Sequence, residues 1–186
     1  MSESDKARLA SESSATRAVD DAFSKEYVSW TTGGGADVAK QLGQLNDVAK
    51  ELGNKGSNLT GPVIGRTPDA VLSVTNPKSI AMRERVEEVV QRSLRAILGA
   101  QFTEKEGERL IARAYNPTLG EAENKVRVER LFTQLNQAFE SKQNAIQYFQ
   151  QNGTLKGWKG KMFSMSDFDP EGGQRVTGKI IKWGDL

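Results

Sequence analysis

The side chains best suited to chemistry lie in the last fifth of the chain. Lys156, Trp158, Lys159, Lys161 and Phe163 interleave cations with aromatic rings, and Trp183 follows near the end. Rings stack on bases while lysines hold phosphates, so this mixture suits single-stranded nucleic acid. It equally suits a protein interface, where aromatic anchors carry much of the binding energy. Interleaved glycines and nearby acidic residues favour protein docking, with nucleic acid second and a membrane surface third.

Four other constellations are weaker. Gly61 to Thr67 reads GPVIGRT, but a phosphate loop needs four residues between its glycines and a Lys where Arg66 stands. A structural turn is the better reading. Glu140-Ser141 could begin the catalytic stretch of a cell-wall lyase, which needs a carboxyl group of raised pKa in a closed cleft. Its surroundings are polar and lack a Gly-rich continuation, so a solvated helix face is preferred. Glu104, Glu106 and Glu108 fit the favourable placement of negative charge in a helix's first turn. Asp167-Phe168-Asp169 could offer oxygens to a divalent cation, but EF-hand spacing is absent and Asp169-Pro170 points to a turn.

Composition narrows the chemistry further. The 186 residues include no histidine and no cysteine. Histidine-based triads, proton switches, disulfides and thiolate nucleophiles are therefore excluded. No cofactor or metal site is expected. The formal net charge of +2 is not that of a strongly basic DNA-binding domain. No apolar run reaches the ~20 residues of a membrane span. Hydrophobic residues make up 37% of the chain, which predicts a thin core.

The elements that must position these side chains read as mainly α and extended. Residues 1–15 are Ser-, Glu- and Ala-rich and predict a flexible or partner-ordered arm. A helical arm or hairpin spans 16–53. Its first face carries Val19, Phe23, Tyr27 and Trp30, and Gly33-Gly34-Gly35 makes a flexible break. Val38, Leu42, Leu45, Ala49 and Leu52 then form a short seam of coiled-coil type, facing either the preceding helix or another subunit.

Residues 54–76 form a loop with a short helical turn, opened by Pro68 at its first position. The region 77–153 is a helical core. Val86, Val90, Leu94 and Ile97, widened by Val89 and Leu98, mark the buried face of its first helix. Thr103 and Glu106 predict a capping box. A long helix from Glu121 to Asn152 carries Val128, Leu131, Phe132, Leu135, Phe139, Ile146 and Phe149. Residues 154–186 form an irregular docking tail, with one candidate strand from Arg175 to Trp183.

Several stretches are similar to a family of small structural proteins of tailed bacteriophages. They are FSKEYVSWTTGGGADVAKQLGQL from Phe23, NLTGPVIGRTP from Asn58, RERVEEVVQRSLRAILGAQFTEKEGERLIARAY from Arg83, and NGTLKGW from Asn152. The resemblance covers roughly residues 20–170 and carries no catalytic or binding residue with it. It implies a non-enzymatic virion component, made in the host bacterial cytoplasm, at or near the portal vertex. The component is either a connector or accessory protein or an internal protein that leaves with the DNA. Its expected partners are portal, capsid, tail or internal proteins and further copies of itself, with genomic DNA as an additional contact and no membrane before ejection. Two alternatives stand beside it: an entry-associated cell-wall-degrading enzyme, and a cytoplasmic DNA-binding or regulatory phage protein.

Overall fold

The computed structural model describes residues 2–168. It is a helical assembly: α1 (Glu3–Ser29), α2 (Gly35–Leu52), α3 (Asp69–Thr75), α4 (Pro77–Leu98), α5 (Glu104–Ala114) and α6 (Glu121–Asn152). No strand occurs among the described residues. Mainly α architecture with a long C-terminal helix is thus the observed fold class.

The core forms where the apolar stripes of α2, α4 and α6 meet. All five seam residues of α2 are buried, as are Val86, Val89, Val90, Leu94, Ile97 and Leu98 of α4. The partners of α2 are α4 and α6 of the same chain, rather than the preceding helix or another subunit. On α6, Val128, Leu131, Leu135 and Ile146 are buried, while Phe132, Phe139 and Phe149 pack at the margin. Helix α5 closes the other side of α4 and contributes Leu110 and Ile111.

Helix α1 runs antiparallel to α6. Phe23 lies edge-on to Phe149 at 5.2 Å, and Trp30 meets Phe139 at 5.6 Å. Asp20 stands opposite the end of α6 and accepts the Leu155 N–H at 2.8 Å. Upstream of that point α1 has outrun its partner. Residues 3–14 are nonetheless helical, and every one is exposed. The expected flexible arm is therefore a helical extension of α1. Its start is fixed by a capping box in which Ser2 and Asp5 exchange hydrogen bonds.

The glycine triplet is a shaped kink rather than a flexible break. Residues 30–34 form one wide π turn, with Gly33 at φ 136°, where a side chain is strained. Gly35 lies against the Trp30 indole, so closely that a Cβ there would come within 2.6 Å of Nε1. The Trp30 N–H donates to Gln143 Oε1 at 2.7 Å, which fixes the kink to α6.

Two expected helix starts shift in detail. Pro68 is the residue before α3 rather than its first, whereas Pro77 does open α4, capped by Asn76. Thr103 precedes α5, but its hydroxyl turns to the Glu106 carboxylate and caps no backbone N–H. The α5–α6 turn is held by Asn124, fully buried, which accepts from Asn116 N–H at 2.9 Å and donates to the Asn116 carbonyl at 2.8 Å.

Candidate functional site

The basic-aromatic stretch folds back on its own chain. After Gly153 closes α6 in a left-handed conformation, residues 154–168 form a strap along that helix. Leu155 is buried, and Trp158 lies 5.3 Å from Tyr148. The Tyr148 hydroxyl donates to the Lys156 carbonyl at 2.8 Å, and the Ser141 hydroxyl donates to the Lys161 carbonyl. Phe163 packs on Phe168 at 6.1 Å, and Phe168 is buried.

The rings of Trp158 and Phe163 are therefore half-buried against their own chain. Lys156 and Lys159 remain exposed. Lys161 pairs with Asp167 at 2.6 Å and lies 4.3 Å over the Phe163 ring. Trp183, Asp169 and the candidate strand from Arg175 lie outside the described residues.

The remaining constellations are structural joints. Gly65 packs so tightly on Thr118 that a Cβ would approach its Cα to 2.5 Å, and the Gly61 N–H donates to the Pro117 carbonyl at 2.9 Å. GPVIGRT thus joins two loops. Glu140 is exposed and bonded to Asn136, not enclosed in a cleft. Glu104 pairs with Arg95 at 3.0 Å across the α4–α5 corner. Burial opposes ionisation of Asp167, but the Lys161 ammonium and the Ser164 N–H and hydroxyl hold its carboxyl below the ordinary value. No cluster of three potential metal ligands occurs among the described residues, and no described helix is long and apolar enough to cross a membrane.

Two features escaped the sequence reading. The first is Lys142, buried on α6, which pairs with Glu26 of α1 and lies 5.2 Å from the Phe23 ring centroid. Its position gave a usable signal, because it falls on the apolar stripe between Phe139 and Ile146. The second is an open groove of about 700 Å³ between α4 and α5. Its wall carries Arg83, Glu84, Glu87 and Glu108, and its floor includes Ile111 and Tyr115.

Arg83 is already engaged by both carboxylate oxygens of Asp69, at 2.8 and 3.2 Å. The Tyr115 hydroxyl is buried without a hydrogen-bond partner. Burial pushes its pKa up to about 12; Arg83 pulls it back, and Glu121 and Glu87 add to the rise. The acid-lined groove could receive a cationic chain. No sequence signal marked it, because its walls come from segments that are separate in the chain. No family model, curated protein or solved structure matches this chain.

Proposed function

We propose that the protein is a non-enzymatic structural subunit of a tailed-bacteriophage particle, seated at or near the portal vertex among other virion proteins. The observation that carries this reading is the free half of α1. Residues 2–14 extend about 20 Å past the end of α6 at 1.5 Å per residue, and no part of the described chain covers them. A helix exposed on all sides gains nothing from tertiary burial, which is where most helical stability in proteins arises. Such an extension makes physical sense in a subunit whose neighbours complete its contacts. The sequence resemblance to phage structural proteins supplies the kind of assembly.

The free half is polar, with Leu9 as its large apolar residue, so its docking would rest on helix shape and on charges such as Glu3, Lys6, Arg8 and Glu12. The body supplies rigidity through the α2–α4–α6 core. Cross-linking of purified particles followed by mass spectrometry tests the proposal. The expected result is links from Lys6 to the portal or to internal or connector proteins. Links confined to the shell lattice would overturn the portal-vertex position, and absence of the protein from particles would overturn the structural role.

A further inference from the structure

The strap of residues 154–168 holds much of its own shape. Within it, Asp167 accepts from the Ser164 N–H at 2.8 Å and pairs with Lys161 at 2.6 Å. Phe163 lies 4.3 Å from the Lys161 ammonium and 6.1 Å from the Phe168 ring. Gly160 sits so close to the Trp158 indole that a Cβ there would overlap it. Its bonds to the body are of another kind. The Leu155 N–H donates to Asp20, and the Lys156 and Lys161 carbonyls accept from the Tyr148 and Ser141 hydroxyls. Each joins a body side chain to strap backbone. Among the described residues, no backbone-to-backbone hydrogen bond ties the strap to a helix.

Two further features favour release. Phe168, 1% exposed, plugs a hollow between α5 and α6 lined by Leu110, Ala114 and Leu131. It reaches that hollow by running back ~30 Å along α6, the rise from Leu131 to Asn152 at about 1.5 Å per residue. The Trp158 Nε1–H is buried without a partner. Opening the strap returns that donor to water, which lowers the cost of release. The hinge is Gly153, whose φ of 69° lets the chain turn back on α6. It stands at the pole of the molecule from which residues 3–14 of α1 project. A copy seated on that projection meets the hinge, and an extended strap reaches ~50 Å at about 3.3 Å per residue.

We propose that the strap is exchanged between copies: residues 154–168 swing out about Gly153 and place Phe168 in the α5–α6 hollow of a second copy. The hollow fits this occupant because it is the one it already holds, so every contact made in cis is available in trans. The difference between the two states lies in concentration and hinge geometry. Tethering gives a subunit's own strap an effective concentration in the millimolar range, so dilute protein keeps it in cis. Copies packed side by side at comparable local concentration share it. The inference is independent of where the protein works.

The test uses the full chain, with equal amounts of unlabelled and carbon-13-labelled protein incubated together at about 1 mM. Isotope-filtered NMR, which reports only contacts between copies, should connect the Phe168 ring of one with the Ala114 and Leu131 methyl groups of the other. These signals should fade on dilution while the same contacts persist within each chain. Gly153→Pro supplies a second measurement. Proline cannot take a positive φ, so it bars the turn in cis and keeps every contacting side chain. This variant should retain its helix content and form a dimer or closed ring at concentrations where the parent is monomeric. Adding Phe168→Ala should weaken that association about a hundredfold or more. Absence of contacts between copies in the parent would overturn the exchange. So would a monomeric Gly153→Pro variant, or an association indifferent to Phe168→Ala.

Discussion

The Lys142 ammonium, on the buried face of α6, is paired with the Glu26 carboxylate of α1 and lies over the Phe23 ring. Its side chain is 5% exposed, whereas that of Glu26 is 36% exposed. The pair is therefore asymmetric, because the cation has lost its water and the anion has kept part of its own. Removing the anion strands a buried charge, while removing the cation leaves a carboxylate that water can still reach.

Glu26→Gln is accordingly expected to cost ~1–3 kcal/mol, below the usual loss for a fully buried pair because Glu26 is partly solvated. Lys142→Met keeps the stem length and its packing on Phe23, and should lie within ~1 kcal/mol of the parent or exceed it in stability. The double variant should regain most of what Glu26→Gln alone loses. Urea unfolding midpoints decide this, and equal losses for the two single variants would contradict the asymmetry.

The kink between α1 and α2 distinguishes glycines that look alike in the sequence. Gly35→Ala drives a Cβ into the Trp30 indole, which is held by its bond to Gln143, and should cost ~1–3 kcal/mol. Gly33→Ala should cost ~1 kcal/mol or more, because its φ of 136° disfavours a side chain even though the space is open. Gly43 sits inside α2, where an added methyl would meet nothing within 4 Å, so Gly43→Ala should stabilise by ~0.5–1 kcal/mol. Thermal melts of the three variants give the ranking.

The two halves of α1 should differ in stability although both are helical. From Val19 to Ser29 the helix is held by Phe23, Glu26, Tyr27 and Trp30 against α6. Residues 3–14 are held by their own backbone, the Ser2–Asp5 cap and the surface pairs Glu3–Lys6 and Arg8–Glu12. Hydrogen exchange followed by mass spectrometry should show fast exchange in the free protein up to about Thr16 and strong protection beyond Val19. Deleting residues 2–12 should leave the melting temperature unchanged. The Ser2 hydroxyl and N–H hold the Asp5 carboxyl below its ordinary value, so its capping contribution is present above pH 3.8 and is lost as pH falls through the lowered pKa. Helix content should therefore drop in acid first at this end.

Burial, more than helicity, was what the residue pattern revealed. The stripes of α2, α4 and α6 were legible because the helices pack on one another and their apolar faces repeat at helical spacing. The first half of α1 had no such stripe, and its helix comes from Ala, Glu, Lys and Arg propensity with a cap. The strap of residues 154–168 has no period because it follows the surface of α6, and its anchors, Leu155, Trp158 and Phe168, are fixed by tertiary fit. Thr103 shows the opposite error: the motif for a capping box is present, yet the hydroxyl pairs with the Glu106 side chain instead of the backbone.

Tyr115 should make the protein unusually sensitive to strong alkali. Its phenol is buried without a partner, and its pKa is raised from 10.0 to about 12. The folded state thus holds the proton more tightly than the unfolded chain does. The stabilisation this confers is complete below pH 10 and is lost as pH rises from 10 through about 12, a change on the order of 2 kcal/mol. Lysines titrate in the same interval, so the informative comparison is with Tyr115→Phe, which deletes only the hydroxyl. At pH 7 this variant should match or slightly exceed the parent, because an unpartnered buried hydroxyl costs desolvation and gains no bond. Between pH 10 and 12 it should lose stability less steeply, as read from urea midpoints at each pH. Parallel curves for the two proteins would show that the phenol ionises as readily in the fold as in the unfolded chain.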